Sequence, residues 1–397
     1  MKQQLNKSEI LFISTIPPRK CGIATFTRDL TNSLKAYILP KYKISICALD
    51  DSGGLESYAE DITMKMDSLN QKSCLDCADR INSLTNIKLV CIEHEFGLFG
   101  GEMGNYLIPF LDALKKPFII RFHTVLPNPC EKRLMVVQRI CMLAEKIIVM
   151  TRHSVHLLRD DYYIREEKII LIPHGTHPVN QSNTASIRAK LNLEDKKILT
   201  TFGLLSPNKG IETGIKSMTK IVKEFPNAIY LVLGNTHPKL VDSTGETYRH
   251  SLEKLISDNC LHKNVKLIDE FLPTDKLLSY LAMSDIYLFT SKDPYQAVSG
   301  TFIYAMSAGC SIISNPIAHS YEMLDKETGI LMEKGDEEEI AANVLYLLNH
   351  DDIRKRMGIQ AFLKTRDTLW DNVAKMHFQI IYDLIENYSE TLHQQTT

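Results

Sequence analysis

Three small residues, Ser299, Gly300 and Thr301, follow an apolar segment with the composition of a buried parallel strand. They open a predicted helix over 299–308. The N-terminus of a helix presents free backbone N–H groups and the positive end of the helix dipole. With two hydroxyls beside those groups, this run is a candidate phosphate-binding site. The alternative is that Ser299 is a simple helix cap.

A second candidate phosphate contact is Lys209, which comes with Gly210 just before a predicted helix over 210–224. A lysine in this position can reach a phosphate held nearby. The segment is not a Walker loop, because the spacing GxxxxGK[ST] is absent.

Polar side chains also end predicted strands in the first half of the chain. Glu93, His94 and Glu95 end one strand, His123 ends another, and a loop with Gly22 follows the first strand. Ligands of open α/β sheets bind at the carboxyl ends of the strands, so these residues are candidates for a site. The alternatives are buried structural histidines and an ordinary turn in which Gly22 supplies a backbone angle that other residues dislike.

Strand-like and helix-like segments alternate along the chain, which predicts doubly wound parallel sheets. The predicted strands are 10–15, 43–49, 88–93, 118–123, 146–150, 168–172, 197–202, 228–233, 265–269, 285–290 and 311–314. The predicted helices are 24–39, 74–84, 102–115, 131–144, 152–160, 210–224, 246–258, 274–282, 299–308, 320–324, 336–348, 351–366 and 370–388. Residues 172–186 are rich in Pro, Gly, Ser and Asn and indicate a hinge.

Composition excludes several classes of protein. A chain of 397 residues fits about two domains, and a net charge of −2 gives no sign of nucleic-acid binding. No apolar stretch approaches the ~20 residues that span a bilayer, and the N-terminus lacks a signal pattern. Nine scattered cysteines favour reduced thiols and a cytoplasmic location. Cys74 and Cys77 lack the further ligands that a zinc site needs, so no metal is expected.

Six basic residues lie close together near the N-terminus. They could contact anionic lipid at the inner face of a membrane, or form a solvated basic surface. They are Arg19, Lys20, Arg28, Lys35, Lys41 and Lys43.

In order and spacing, several segments resemble the GT-B glycosyltransferases, specifically the retaining family 4 nucleotide-sugar enzymes. The resemblance runs over about residues 10–390 and is particularly close to a bacterial branch with a PPR-CGIATF opening. The segments are PPRKCGIATFTRDL, HEFGLFGG, the strand end FHT, IPHG, GLLSPNKG, SDIYLFTSKDPYQAVSGTFIYAMSAGCSIISNPI and the final Trp-containing helix.

This resemblance implies an α/β fold with two Rossmann-like, doubly wound domains facing each other across a cleft. The N-terminal domain, 1–175, would hold the acceptor, and the C-terminal domain, 176–372, would hold the nucleotide-sugar donor. A helix over 373–397 would pack back on the N-terminal domain. The implied reaction transfers a hexose, with retention and without metal, to a glycan, lipid-linked or small-molecule acceptor, as in polysaccharide biosynthesis. GDP-mannose and UDP-hexoses are the guessed donors, and no cofactor is implied.

The resemblance also implies roles for individual residues. Lys209 would neutralise the leaving diphosphate, and His123 would hydrogen-bond the transferred sugar; these two are the catalytic candidates. The remaining donor-binding candidates are Gly22, His174, Gly175, Gln296, Ser299, Gly300, Thr301 and Glu322. The acceptor-side candidates are Glu93, His94 and Glu95.

Three positions depart from the family pattern. Leu204 stands where many members have an arginine, and Gln296 and Tyr304 stand where many have glutamates. Either the donor site is a variant or activity has been lost, which leaves a catalytically silent protein that binds sugar, nucleotide or a partner as the alternative. Phosphorylases, sugar-phosphate synthases and nucleotide-sugar epimerases share the fold and form a third reading.

Overall fold

The structure is a computed structural model that describes residues 7–38, 41–50, 61–179 and 184–396, with side chains as far as 386. It divides into two compact units, residues 1–175 with 370–397 and residues 176–369. Residues 180–183 of the predicted hinge lie outside the described residues.

The first unit is built on a seven-stranded sheet with the order β3-β2-β1-β4-β5-β6-β7. Its described pairings are all parallel. The strands are β1 (Ser8–Ser14), β2 (Tyr42–Leu49), β3 (Ile62–Met66), β4 (Ile87–His94), β5 (Phe118–Phe122), β6 (Lys146–Val149) and β7 (Ile169–Leu171). Both faces of this sheet are covered, so most strand residues are apolar and buried.

Helices cover both faces of the first sheet. They are α1 (Gly22–Ile38), α2 (Gln71–Ser83), α3 (Leu107–Ala113), α4 (Glu131–Leu143) and α5 (Arg152–Asp160). In α1, Phe26, Leu30 and Leu34 recur at helical spacing and are all buried, as the apolar pattern predicts.

The second unit repeats this plan with a six-stranded sheet of order β10-β9-β8-β11-β12-β13, again with parallel pairings. Its strands are β8 (Lys197–Phe202), β9 (Ala228–Leu233), β10 (Val265–Ile268), β11 (Ile286–Phe289), β12 (Ser311–Ser314) and β13 (Gly329–Leu331). Its helices are α6 (Thr184–Lys190), α7 (Ile211–Glu224), α8 (Pro238–Thr244), α9 (Thr247–Asp258), α10 (Thr274–Ala282), α11 (Gly300–Ser307), α12 (Ala318–Met323), α13 (Glu337–Asn349) and α14 (Asp351–Thr365). In both sheets the strand order reverses beside the first strand, which is where ligands bind in doubly wound folds.

The predicted α/β fold with two Rossmann-like domains is confirmed. The sequence patterns missed two edge strands, β3 and β13, and two short helices, α6 and α8. These two strands are five and three residues long and lack a continuous apolar run, since Lys65 interrupts β3 and β13 begins with Gly329. Residues 102–115, predicted as one helix, form a 3₁₀ turn (Glu102–Gly104) and α3, because Met103 and Gly104 adopt positive φ values.

The final helix, α15 (Trp370–Thr396), groups with the first unit. It begins at Trp370, as predicted for the helix over 370–388, and the Trp370 ring contacts Phe26 of α1 at a centroid distance of 5.0 Å. Further along, Tyr37 stacks on Phe378 at 6.1 Å.

Candidate functional site

In the second unit, the loop after β8 and the start of α11 come together at the point where the strand order reverses. Gly203 has φ +134°, and a Cβ there would lie 3.3 Å from Thr301 Cγ2 and 3.9 Å from Lys209 Nζ. The absence of a side chain at Gly203 therefore lets the side chains of Thr301 and Lys209 approach the backbone of this loop closely.

Backbone contacts fix the position of Lys209 beside Gly203. It ends a short 3₁₀ turn (Pro207–Lys209), and its carbonyl accepts a hydrogen bond of 2.7 Å from Thr290 Oγ1. The next residue, Gly210, has φ +62°, and a Cβ there would lie 2.3 Å from the Thr290 carbonyl oxygen. Only glycine fits this position, so the Lys-Gly pair found in the sequence is a structural unit.

The Lys209 ammonium has no counter-charge in the described part of the chain. Its Nζ makes no hydrogen bond or salt bridge to any part of the chain that the structure describes. Burial lowers the pKa of Lys209. A partly buried, unpaired ammonium costs free energy in the absence of an anion, and this is the arrangement expected of an anion-binding site.

The N-terminus of α11 supplies the second half of the site. Ser299 caps the helix, as the simpler alternative predicts, because its hydroxyl accepts a hydrogen bond of 3.4 Å from Phe302 N–H. The preceding N–H groups, those of Gly300 and Thr301, have no acceptor within the described residues. The cap and a phosphate-binding role are thus compatible, since the cap leaves these two donors free.

His319 was missed by the sequence analysis. It is buried on α12, and its Nδ1 accepts a hydrogen bond of 3.0 Å from Ser299 N–H. Its ring packs on Phe302 at a centroid distance of 5.1 Å. His319 therefore fixes Ser299, the residue that caps α11. A lone histidine carries no spacing signal that could have identified it.

The remaining donor-side candidates of this unit, and the positions that depart from the family pattern, differ in their contacts. Gln296 Oε1 accepts a hydrogen bond of 3.0 Å from Ser291 Oγ. Tyr304 is buried, with its ring 5.5 Å from that of His177. Glu322 lies on α12, and Leu204 is partly buried just after Gly203. The positions that depart from the family pattern are therefore packed or hydrogen-bonded within the unit.

In the first unit, Gly22 begins α1 at the carboxyl edge of β1. Its side-chain direction is open, because a Cβ there would meet nothing within 4 Å, and its φ is not positive. The alternative that Gly22 supplies a backbone angle other residues dislike is therefore wrong.

His174 and Gly175 lie beneath the aromatic end of the final helix. A Cβ on Gly175 would lie 2.2 Å from ring atoms of Trp370. The His174 ring is 5.0 Å from that of Phe26, and burial lowers the pKa of His174 to about 4. Gly175 is thus required for packing of Trp370.

A buried chain of polar side chains links β4, β5 and α15. Glu93 accepts hydrogen bonds of 2.7 Å from Arg121 Nη1 and from His123 Nε2. Arg121 Nη2 donates in turn to His377 Nε2, and its guanidinium lies 4.7 Å above the Phe26 ring. Burial raises the pKa of Glu93, but the Arg121 charge and the His123 hydrogen bond together outweigh this effect. The pKa is therefore lowered overall, and the carboxylate is ionised. The sequence signal for this chain was the arginine inside the apolar strand FIIRF, which a buried strand tolerates only when the charge is paired.

The two other acceptor-side candidates differ in exposure. His94 is fully buried among Phe96, Phe99 and Phe122, and neither ring nitrogen has a hydrogen-bond partner among the residues that the structure describes. It therefore lies in the core of the first unit. Glu95 is partly buried and accepts hydrogen bonds from Thr124 Oγ1 and, at 2.9 Å, from Phe96 N–H.

Of the six clustered basic residues, four are ion-paired. Arg28 and Lys35 contact Asp61, Lys41 contacts Glu386, and Lys43 contacts Glu9. Over the described residues, no cluster of His, Cys, Asp and Glu has the arrangement of a metal site, and no helix has the length and apolar character needed to cross a membrane.

Residues 183–364 match the family model described as "Glycosyl transferases group 1". This match lies entirely within the second unit. Gly203, Lys209 and the N-terminus of α11 all lie within the matched residues.

The curated relatives are distant in sequence. The D-inositol 3-phosphate glycosyltransferase of Corynebacterium glutamicum is 24% identical over 268 residues, which is 65% of this chain and 62% of that protein. The first three relatives are matched over 62%, 35% and 49% of their own lengths, less than two thirds in each case.

Solved structures share the two-domain GT-B fold over nearly the whole chain. The sucrose-phosphate synthase of Thermosynechococcus elongatus superposes with a TM-score of 0.77 at 18% identity, covering 96% of this chain and 100% of that one. Anabaena HepE in complex with UDP superposes with a TM-score of 0.74 at 15% identity, covering 94% and 100%.

Proposed function

We propose that this protein is a glycosyltransferase that moves a hexose from a nucleotide-diphosphate sugar to a carbohydrate, lipid-linked or small-molecule acceptor. The observation that carries the proposal is the unpaired ammonium of Lys209 beside the free N–H groups of Gly300 and Thr301. A diphosphate provides the counter-charge that this arrangement lacks.

The chemistry explains why such a site belongs to an enzyme. As the bond between the sugar and the diphosphate breaks, negative charge grows on the departing diphosphate. A fixed cation and a helix N-terminus stabilise the transition state, which carries this growing charge, more than the ground state. This difference lowers the barrier. These groups supply positive charge without a metal ion, so we propose that transfer is metal-independent.

In the first unit, we propose that His123 hydrogen-bonds the transferred sugar and that Gly22 leaves room for donor phosphates. The open side-chain direction of Gly22 and the 11% exposure of the His123 side chain favour these roles. Glu95, at the same sheet edge, is the better acceptor-side candidate than the fully buried His94. Retention of configuration is proposed to follow from attack on the face that the diphosphate leaves, without an enzyme nucleophile.

Ligand binding tests the donor first. Thermal-shift and ligand-observed NMR titrations would compare UDP, GDP, ADP, CDP and dTDP, with and without EDTA. We expect one diphosphate to bind clearly above the others and EDTA to make no difference. UDP-hexoses and GDP-mannose then serve as the first sugar donors, and release of free sugar from one of them would establish transfer to water. The anomeric configuration of the transferred sugar, read by NMR before mutarotation, tests retention.

A catalytically silent binding protein is the alternative, and the same titrations separate it from an enzyme. Such a protein would bind a diphosphate but release no sugar with any donor or acceptor. Co-sedimentation with anionic vesicles tests a peripheral membrane contact. We expect weak binding, since most of the clustered basic residues are already ion-paired.

A further inference from the structure

The chain of buried polar groups from His377 to His123 has a fixed direction of hydrogen bonding. His377 Nδ1 lies 2.6 Å from the Val373 carbonyl oxygen, which can only accept, so Nδ1 carries the proton. His377 Nε2 is then an acceptor for Arg121 Nη2, which can only donate. Burial, followed by the Arg121 charge, lowers the pKa of His377 to about 3, so this imidazole is neutral.

The direction of each hydrogen bond is fixed in the same way from the ion pair of Arg121 and Glu93 to His123. Arg121 and Glu93 are 3% and 2% exposed, and their contact of 2.7 Å keeps the buried carboxylate charged. An ionised carboxylate accepts hydrogen bonds only, so His123 Nε2 must donate the proton across the 2.7 Å to Glu93 Oε2. In neutral His123, Nδ1 is then a lone-pair acceptor, and it has no partner within the described residues.

We propose that Glu93, Arg121 and His377 are positioning residues that hold His123 as its Nε2–H tautomer, so that Nδ1 accepts a hydrogen bond from a hydroxyl of the substrate. The tautomer is a property of the protein alone, whereas the hydroxyl as the bound group rests on the proposed function. A carboxylate that orients a histidine in this way is a general device of active sites.

Through His377, helix α15 also belongs to this chain of hydrogen bonds. His377 is the contribution of that helix, and its Nε2 satisfies a buried guanidinium nitrogen that would otherwise lack an acceptor. Removing the acceptor leaves Arg121 free to reorient away from Glu93, because the lost hydrogen bond fixed one side of the guanidinium.

Histidine-ring ¹⁵N NMR tests the proposal on the whole protein without any substrate. The His123 resonances are assigned by their loss in His123→Gln. At a pH where His123 is neutral, we expect Nε2 to have the shift of a protonated, pyrrole-like nitrogen and Nδ1 that of a pyridine-like one. A dominant Nδ1–H tautomer, or averaged shifts for both nitrogens, would overturn the proposal.

Variants then test the positioning chain. Glu93→Gln alone leaves the buried Arg121 charge unpaired, and this variant is at risk of misfolding. The informative variant is therefore the double substitution Glu93→Gln/Arg121→Met, which buries no unpaired charge. We expect mixed His123 tautomers in it and in His377→Phe, and unchanged shifts in the control Met376→Ala, whose side chain is 45% exposed on the same helix. An unchanged tautomer in a folded double variant would refute the role of Glu93, and an unchanged tautomer in folded His377→Phe would refute that of His377.

Activity provides a separate readout. If the protein transfers sugar, the double variant should lose about 10- to 100-fold in kcat with little change in donor KM, the range found when a histidine-orienting group is removed. If no donor is turned over by the unaltered protein, the proposed function fails, while the NMR measurement still decides the tautomer.

Discussion

Lys209→Met offers the most direct test of the proposed diphosphate site. Methionine keeps most of the aliphatic stem and removes the charge. An ammonium and a unit negative charge about 4 Å apart interact by about 4 kcal/mol at an effective dielectric constant of about 20. Because the leaving diphosphate gains its charge during the reaction, most of this interaction is expected in the transition state, and kcat should fall by about 10²- to 10³-fold.

Stability should respond in the opposite sense. Lys209 has no counter-charge among the described residues, and burial lowers its pKa. The substitution therefore removes an unfavourable partly buried charge, and the unliganded protein should melt at the same temperature or higher. A purely structural lysine would instead show a lower Tm on substitution.

The pH dependence of binding follows from the same pKa. As pH rises through the lowered pKa of Lys209, the ammonium loses its proton, and diphosphate affinity should fall below that expected for a lysine with an ordinary pKa near 10.5. The affinity of Lys209→Met should not change over this range.

The assay is donor turnover, with diphosphate affinity from calorimetry and Tm from a thermal scan. Lys216→Met is the matched control, since Lys216 is exposed on α7 and its side chain has no partner in the described chain. Equal effects of the two substitutions, unchanged turnover in Lys209→Met, or a Tm lowered by several degrees would refute the assignment.

Three further substitutions separate binding from stability. Gly22→Ala should leave Tm unchanged or raise stability by about 0.4–1 kcal/mol, since a Cβ meets nothing there, yet weaken diphosphate-sugar binding in calorimetry; unaltered affinity would remove Gly22 from the donor site. Gly175→Ala should destabilise by about 1–3 kcal/mol in urea unfolding, because its Cβ would overlap the Trp370 ring; a neutral result would mean that this ring moves aside freely. His94 has its pKa lowered from 6.5 to about 3, so below pH 6.5 the unfolded chain takes up its proton first and stability is lost toward pH 3, by up to about 1.4 kcal/mol per pH unit. His94→Phe should lose less stability between pH 7 and pH 5 than the unaltered protein, and parallel losses would show that His94 does not contribute.

The sequence predicted the fold well where patterns were long and local. Buried strands such as β8 and β9 were located to the residue because continuous apolar runs end at polar residues. Two of the four edge strands were missed, because Lys65 interrupts the apolar residues of β3 and β13 begins with glycine, whereas the apolar run of the equally short β7 was recognised.

The candidate site was predicted unevenly, for physical reasons. Lys209 and Ser299 belong to loop-to-helix transitions, which have local signatures in glycine and small polar residues. The contact between Arg121 and His377 could not be found in this way, since these residues are 256 positions apart in the chain and meet only in the folded unit. The sequence left open whether His94 is a site residue or a buried histidine, because its position at a strand end does not reveal which way the side chain points.

The division of the chain has a consequence for how the protein is made. The second unit is one continuous stretch, 176–369, inserted into a first unit whose two pieces are separated by it. During synthesis, the second unit can fold as soon as it emerges from the ribosome, whereas the first must wait for α15. Until His377 and Trp370 arrive, the ion pair of Arg121 and Glu93 lacks its cover, and the aromatic contact of Phe26 is incomplete. The first unit is therefore completed last during synthesis, and the residues that hold His123 in place are among the last to be secured.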